Sequence, residues 1–203
     1  MNPTELSRFV DPAGRCIDPR WINAVAAFCN VAPASYAEIA TARGIAARAI
    51  PDGVVTVERM QAVQAITKAS IFVAREGADV VGMTAFFPLR ASGMAALEAG
   101  QFDTLEPDLE FICPPRETPA GGYAWGFIGL SDKAAGRVVK TCVAVRETRC
   151  WALPLYTRAA TEAGAKIIFG PLGFRPVPGD PTLAFHPGHQ RPLQGLISQA
   201  NTP

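Results

Sequence analysis

Residues 123–145 read YAWGFIGLSDKAAGRVVKTCVAV, and they contain the most informative pattern of the chain, an apolar segment, a short polar turn and an amphipathic segment. The segment Gly122–Leu130 is aromatic and apolar with three glycines, which predicts a buried strand whose backbone another group approaches closely. From Ala134 to about Arg149, apolar residues recur at spacings of three and four, which predicts an amphipathic helix packed on a sheet. The residues on that apolar face are Val138, Val139, Cys142 and Val145.

The turn between this strand and this helix is made of small and polar residues, Ser131–Gly136. Small residues leave main-chain N–H groups uncovered at a helix start, where the helix dipole also favours negative charge. Such a turn suits an anion such as a pyrophosphate, and Lys133 and Arg137 add positive charge beside it. On local grounds an ordinary helix start explains the turn about equally well.

Upstream of this unit, the sequence predicts a β-hairpin from Ser70–Arg75 and Val80–Leu89, joined by a tight turn that contains Gly77. The N-terminal part, residues 1–44, is interpreted as a helical arm with a loosely ordered start over residues 1–20. Helices are predicted at Trp21–Cys29, at Tyr36–Arg43 with Gly44 at its C-terminus, and at Val57–Ile66 with Thr56 as cap, and a brief strand at Ile45–Ile50.

After the hairpin, residues 91–119 form an inserted segment that begins with a small helix and ends in prolines. Between them lies an acidic run, Asp103, Glu106, Asp108 and Glu110. A short strand at Leu155–Arg158, a short helix at Thr161–Phe169 and a turn into a strand over Gly170–Val177 complete the predicted order. Residues 178–203 are rich in proline and glycine, which predicts an extended tail docked on the body.

Composition limits the function classes. A length of 203 residues suits a single domain, residues 1–203, and 49% hydrophobic with 18% charged residues is typical of a folded protein. The net charge of +1 argues against nucleic acid as a partner. No apolar run reaches the roughly 20 residues that a membrane span needs, and no secretory signal is evident, so a cytoplasmic protein without a membrane partner is expected.

The order of these elements resembles the GNAT superfamily of N-acyltransferases, over roughly residues 45–178. In that family the turn reads Arg or Gln, two residues, Gly, one residue, then Gly or Ala, and the matching positions here are Ser131, Ala134 and Gly136. A second family stretch ends in Leu-Gly-Phe, which matches Leu172–Phe174. The resemblance implies an α/β (α+β) fold: a mixed, mostly antiparallel sheet flanked by helices, with N-terminal helices and an insertion before the cofactor-binding strand.

The resemblance also implies transfer of an acetyl or other acyl group from acyl-CoA, the co-substrate, to an unidentified amine. The cofactor would lie where the Tyr123–Leu130 strand diverges from its neighbour. Whether the chain forms a homodimer stays open. The cofactor-binding residues that the resemblance implies are Ile128, Leu130, Ser131, Lys133, Ala134, Ala135, Gly136, Arg137 and Phe169.

Two positions depart from the family pattern. Ser131 replaces the Arg or Gln that begins the turn, and Phe169 stands where many members carry the Tyr that protonates the departing thiolate. Since a phenyl ring donates no proton, the alternative is a catalytically degenerate GNAT-fold protein that acts as an interaction or ligand-binding module.

The choice of a catalytic base depends on the acidic run. Glu110 is the first candidate, because its neighbours Leu109 and Phe111 could desolvate it and strengthen it as a base. Tyr156 or a positioned water are the other candidates. A solvated acidic loop without a catalytic role is the competing interpretation.

Two further segments invite functional interpretations that rank lower. His186 and His189 have no clustered Cys or carboxylate nearby in sequence and are interpreted as surface turn residues, not metal ligands. The segment Tyr36–Ile50 could form a DNA-reading helix-turn-helix, although Pro51 leaves little room for a recognition helix.

Overall fold

The computed structural model of the chain describes residues 3–50 and 53–190. Its helices and strands are α1 (Pro3–Ser7), α2 (Pro19–Phe28), β1 (Val31–Pro33), α3 (Tyr36–Ala49), α4 (Val57–Thr67), β2 (Ile71–Glu76), β3 (Asp79–Leu89), α5 (Ala91–Glu98), a 3-10 turn (Leu109–Phe111), β4 (Gly121–Gly129), α6 (Asp132–Arg149), β5 (Leu155–Arg158), α7 (Glu162–Phe169), β6 (Arg175–Val177) and β7 (Asp180–His186).

The strands form one seven-stranded sheet in the order β1-β2-β3-β4-β5-β7-β6. Neighbouring strands are antiparallel except for β4 and β5, which are parallel. One core cluster joins the sheet to α3, α4 and α5, and a second joins it to α2 and α6. The predicted fold class is therefore confirmed, as is the predicted element order from the hairpin to the last short helix.

The hairpin of β2 and β3 has the predicted tight turn, a two-residue loop at Gly77 and Ala78. Gly77 has a φ of 60°, in the region that side chains other than glycine disfavour. No helix within the described residues is long and apolar enough to cross a lipid bilayer.

The N-terminal segment is packed, which corrects the prediction of a loose start over residues 1–20. Leu6 and Phe9 are buried in a small cluster with Val25 of α2 and Ala144 of α6. Trp151 reinforces the attachment, because its indole N–H donates to the carbonyl oxygen of Asp11 at 2.8 Å.

Helix α3 continues past Gly44 to Ala49, so the predicted helix end at Gly44 and the predicted strand at Ile45–Ile50 are both wrong. A glycine inside a helix costs about 1 kcal/mol. Ile45 and Ala46 are both buried, and they continue the stripe of Ile39 at helical spacing, so core burial outweighs that cost. One continuous helix of 14 residues also removes the helix-turn-helix interpretation of Tyr36–Ile50.

Helices α3 and α4 both begin at side-chain caps. Ser35 and Glu38 form a capping box at the start of α3, and Thr56 caps α4 as predicted, accepting from the amide of Arg59. Glu38 also pairs with Arg75 of β2 at 2.5 Å, and this hydrogen bond lowers the pKa of Glu38 to about 2. The same carboxylate therefore starts a helix and attaches it to the sheet.

The inserted segment, residues 91–119, covers the first core cluster. The ring of Phe102 lies 5.9 Å from that of Tyr123 on β4 and 6.1 Å from that of Phe111. Met94, Ile112 and Phe102 are buried against the sheet. The insertion is thus part of the core and also forms a rim beside β4 and β5.

Part of the predicted extended tail is a sheet strand, because β7 inserts between β5 and β6. The segment 178–190 is therefore docked, and residues 191–203 of the predicted tail lie outside the described residues. The sequence missed β7 because its prolines and glycines fall at its ends, at Gly179, Pro181 and Pro187.

His186 is buried at the end of β7, which corrects its interpretation as a surface turn residue. Arg146 of α6 donates to its Nε2 atom at 2.6 Å and to Nε2 of His189 at 2.9 Å. Burial lowers the pKa of His186 to about 4, and the charge of Arg146 acts in the same direction. This contact attaches the last described strand to α6.

The stability of the protein should fall as the pH falls from about 6.5 to about 4. In this window the unfolded chain protonates His186, whose usual pKa is 6.5, while the folded chain does not, so protons favour unfolding. Urea unfolding at a series of pH values should show this slope in the parent protein and a smaller slope in His186→Gln. Equal slopes in the two proteins would contradict the buried neutral histidine.

Candidate functional site

Strands β4 and β5 diverge part-way along their length. They are paired over only three residues of each strand, Gly122–Ala124 with Leu155–Thr157. The hydroxyl of Thr157 donates to the carbonyl oxygen of Ala124 at 2.8 Å at the end of this pairing. Beyond it, residues 125–129 of β4 have no strand on that side within the described chain, which leaves a gap in the sheet. This confirms the predicted divergence.

A β-bulge marks the point where the strands diverge. Ala85 of β3 pairs with Gly126 and Phe86 pairs with Ala124, so Trp125 is an extra residue on β4. Along a strand, the main-chain N–H and C=O groups of successive residues point alternately to one neighbouring strand and to the other. Because a bulge adds one residue, this alternation is reversed after it. The change takes place at the edge of the gap.

Main-chain hydrogen bonds show which β4 groups point into the gap. Before the bulge, the amide of Gly122 points to β5 and donates to the carbonyl oxygen of Pro154 at 3.0 Å. After the bulge, the amide of Leu130 points to β3 and donates to Val81 at 2.8 Å. By the alternation of an extended chain, the main-chain groups of Phe127 and Gly129 point into the gap.

This alternation corrects the assignment of backbone cofactor contacts to Ile128 and Leu130. The main-chain groups of both residues are directed to β3, and the exposed Leu130 side chain points to solvent with 55% of its surface accessible. The prediction was displaced by one residue because a bulge of one residue leaves no signature in the sequence.

The start of α6 lies directly against the end of β4. A Cβ atom at Gly129 would be 2.1 Å from the amide nitrogen of Ala135, so no other residue fits there without displacing the helix. Gly82 on β3 is comparably crowded, since its Cβ would lie 2.9 Å from the carbonyl oxygen of Ile128. The predicted close approach to the glycine-rich strand is thus made by the helix start itself.

The start of α6 retains free main-chain donors. Ser131 is the N-cap and accepts from the amide of Ala134 at 3.2 Å. Within the described chain, no acceptor is recorded for the amides of Asp132 and Lys133. Gly136 faces open space, because a Cβ built there would meet no atom within 4 Å. The helix start is therefore not blocked by side chains.

Two cations flank this helix start. Lys133 and Arg137 lie 3.4 and 3.5 Å from the carboxylate of Glu76, and Arg137 also donates to the carbonyl oxygen of Arg75 at 2.9 Å. The Arg137 atom nearest Glu76 is Nη2, so this guanidinium already faces one carboxylate, while its Nε atom is buried and has no hydrogen-bond partner. A buried donor without an acceptor is costly, so Nε would gain from an additional acceptor.

An apolar cavity of about 80 Å³ lies on the α6 face of the sheet at the gap. It is lined by residues of β3, β4, β5 and α6, and we call it the apolar cavity. Burial raises the pKa of the Cys142 thiol on its wall to about 11, so that thiol stays protonated. Its walls include Ala124, Phe127, Thr141, Cys142 and Thr157.

A second cavity, of about 410 Å³, lies where the insertion meets β5 and the turn between β6 and β7. It has a mixed polar and apolar lining and we call it the mixed cavity. Its walls include Leu97, Glu98, Phe102, Tyr156, Arg158 and Asp180. Side chains of a strand alternate between faces, so Tyr156 and Arg158 face the mixed cavity while Leu155 and Thr157 face the apolar cavity. The two cavities thus lie on opposite faces of the sheet and share strand β5 as a wall.

Several solved structures are similar to this chain. No family model matches the chain and no curated protein matches it. A histone acetyltransferase HPA2 and related acetyltransferase from Corynebacterium glutamicum is 18% identical with a TM-score of 0.43, over 77% of this chain and 93% of that chain. A GNAT-family acetyltransferase from Bacillus cereus is 10% identical with a TM-score of 0.43, over 79% and 98%.

The third structure, PH1933 from Pyrococcus horikoshii, is 14% identical with a TM-score of 0.40, over 64% of this chain and 70% of that chain. All three structural similarities are distant, so the function has to be inferred from the geometry of the site.

The candidate acid and base residues occupy different places. Tyr156 lies on the wall of the mixed cavity, and burial together with the charge of Glu98 raises its pKa. Glu110 is exposed on the 3-10 turn outside both cavities, so the desolvation on which its choice depended is absent. Its main-chain oxygen accepts from Arg90.

Phe169 ends α7 and packs against the second core cluster. It belongs to neither cavity wall. Of the three tyrosines, Tyr36, Tyr123 and Tyr156, only Tyr156 lines one of the two cavities, and it lies on β5 and not on α7.

Sequence analysis missed several residues of the site. Glu98 ends the small helix α5, and Arg158 and Asp180 form an ion pair at 2.8 Å across the rim of the mixed cavity. Trp125 is the bulge residue. None of these residues lies in a recognisable motif. Folding brings Glu98, Arg158 and Asp180 together at the mixed cavity and places Trp125 at the bulge.

Replacing Gly129 by Ala should destabilise the protein, because the new methyl would overlap the start of α6. Overpacking of this kind costs about 1–3 kcal/mol, measured as the free energy of unfolding in urea. Gly126→Ala is the matched control on the same strand, since its Cβ would meet only Ile128 at an ordinary 3.6 Å. Equal stability of the two variants would show that the helix start does not contact β4 as described.

Proposed function

We propose that this chain is a single-domain, GNAT-type N-acyltransferase that moves an acyl group, most simply acetyl, from acyl-CoA to an amine. The observation that carries the proposal is the gap between β4 and β5, which opens at the Trp125 bulge beside the free start of α6. The anion site, the main-chain groups of the half-paired strand β4 and the apolar cavity lie together there, and the mixed cavity adjoins β5 on the other face of the sheet. This combination suits acyl-CoA, in which a nucleotide diphosphate carries the long, thin pantetheine arm.

The helix start fits the diphosphate part of the co-substrate. The amides of Asp132 and Lys133 have no acceptor in the described chain, and the buried Nε atom of Arg137 lacks one too. Gly136 leaves space for close approach to the backbone. Ser131 contributes as the helix cap and not as a charge, and Ala134 and Ala135 keep the turn small. These groups would hold the phosphates of acyl-CoA.

The gap fits the arm of the co-substrate. The main-chain groups of Phe127 and Gly129 point into it and would pair with the amides of pantetheine as a neighbouring strand would. The apolar cavity lies on the same face as α6, so the arm would run from the helix start toward Ala124 and Thr157. The thioester would then lie near the bulge, where the strands diverge.

In the transfer itself, acyl-CoA supplies an activated thioester carbonyl. The amine nitrogen bonds to that carbon, the carbon–sulfur bond breaks, and the nitrogen gives up a proton to a base or water. A main-chain amide beside the bulge would stabilise the carbonyl oxygen as it gains charge. Tyr156 would protonate the departing thiolate: a phenol carries its proton at neutral pH, and since burial raises its pKa and weakens it as an acid, it would act through its position.

Replacing Gly136 by Leu should abolish acetyl-CoA binding and leave the fold intact. The new side chain meets no protein atom at its Cβ, and Leu favours a helix over Gly by about 0.5–1 kcal/mol. It would fill the space assigned to the phosphates. Calorimetric titration with acetyl-CoA and thermal unfolding measure the two effects separately.

Gly44→Leu is the control for this experiment. Gly44 is also a helical glycine with nothing within 4 Å of its Cβ, and it lies on α3, away from α6. This variant should bind acetyl-CoA as the parent does. Failure of the parent protein to bind acetyl-CoA at millimolar concentration, or unchanged binding by Gly136→Leu, would refute the proposed site.

Replacing Tyr156 by Phe should lower kcat about a hundredfold and leave KM for acyl-CoA unchanged, because only proton transfer is lost. Thiol release from acetyl-CoA in the presence of an accepted amine measures the rate. Tyr36→Phe is the control, since Tyr36 is exposed on α3 and lines neither cavity. An unchanged kcat in Tyr156→Phe would assign the proton to water.

The alternative of a degenerate GNAT-fold module keeps one observation in its favour, the absence of a hydroxyl at Phe169. It predicts saturable acetyl-CoA binding without thiol release for any amine. The calorimetric and kinetic measurements above therefore separate the two functions.

A further inference from the structure

We propose that the mixed cavity binds the acceptor, and that this acceptor is a small primary amine with an apolar body and no carboxylate. Glu98 would receive its ammonium group. This inference rests on the proposed function and adds the chemical class of the second substrate. It is carried by the charge balance, the shape and the position of the cavity.

The charge balance of the cavity leaves one carboxylate available. Arg158 is bound to Asp180 at 2.8 Å and to the hydroxyl of Thr182 at 2.7 Å, so these two charges neutralise each other on the rim. The hydroxyl of Thr182 donates to the Asp180 carboxylate at 2.7 Å, and this hydrogen bond, with Arg158 and the main-chain amide of Leu183, lowers the pKa of Asp180.

Glu98 differs: it is exposed at the end of α5, it lines the mixed cavity, and its side chain makes no ion pair or hydrogen bond with another residue of the described chain. The cavity therefore presents one net negative charge to its contents. A ligand with a single positive charge complements it. A carboxylate on the ligand would be repelled by Glu98, and it would find Arg158 already paired.

The shape of the cavity favours a small molecule over a peptide. One wall is the end of α5 and the loop after it, with Leu97 and Phe102, and the opposite wall is the turn at Val177–Asp180. A volume of about 410 Å³ lies in the range of small-molecule sites. The rings of Phe102 and Tyr156, with the side chain of Leu183, provide an apolar surface for the body of the ligand.

The position of the cavity connects it to the gap. Tyr156 faces it from the paired part of β5, and Arg158 is the first β5 residue beyond the pairing with β4. The cavity has no wall residue on β4, so its link to the gap runs along β5, through Tyr156, which pairs with Tyr123 of β4. A ligand in the mixed cavity would approach the gap along β5, from the face opposite the apolar cavity, and would not compete with acyl-CoA for space.

The test uses 2-phenylethylamine and L-phenylalanine, which differ only by the carboxylate. Calorimetric titration of the full chain, without and with saturating CoA, should show saturable binding of 2-phenylethylamine and at least about tenfold weaker binding of phenylalanine. Glu98→Gln should weaken binding of 2-phenylethylamine about tenfold, the usual effect of removing a charged hydrogen-bond partner.

Glu58→Gln is the matched control. Glu58 is exposed in the first turn of α4 and belongs to neither cavity wall, so this variant should bind the amine as the parent does. Equal weakening by both variants would indicate a general charge effect and overturn the role of Glu98. Tighter binding of phenylalanine than of the amine would overturn the acceptor class.

The outcome is separable from that of the proposed function. Binding of acetyl-CoA is titrated independently of the amine. If acetyl-CoA binds and 2-phenylethylamine binds neither with nor without CoA, the inference about the acceptor falls and the transferase proposal stands. If acetyl-CoA does not bind, the transferase proposal falls whatever the amine does.

Discussion

The bulge at Trp125 is the constraint on which the site depends. One extra residue on β4 turns the main-chain groups of Phe127 and Gly129 away from β3. At the same point the pairing with β5 ends, so these groups have no partner strand in the described chain. A half-paired strand inside a sheet carries polar groups that need partners, and this need defines where a ligand would bind.

The close approach of α6 to β4 fixes the other end of the same site. Gly129 and Gly82 allow the helix start to lie against the strand pair, and Ser131 caps it without filling the space before it. If a larger residue stood at Gly129, the helix start would move outward and its amides would no longer point beside the gap. The distance between the anion site and the gap is therefore set by backbone contact and not by adjustable side chains.

Local sequence patterns predicted the helices and turns correctly where a capping residue, a turn glycine or the helical spacing of apolar residues decides the local structure. Thr56 marked the start of α4, the spacing of Val138 to Val145 marked α6, and Gly77 marked the hairpin turn. They failed where burial outweighed a local preference, as in the continuation of α3 through Gly44 and in the neutral, buried state of His186. Glu110 failed as a desolvated base because apolar neighbours in sequence do not surround a side chain that points to solvent.

The strand, turn and helix at residues 123–145, the order of elements around them and the uncovered helix start can be predicted from the amino-acid sequence. These features follow from local periodicity and from the size of side chains. The bulge at Trp125, the direction of the main-chain groups of Phe127 and Gly129, and the shared cavity of Glu98 and Tyr156 become visible in the folded chain alone. Register and the meeting of distant segments depend on packing across the whole sheet, which no local pattern encodes.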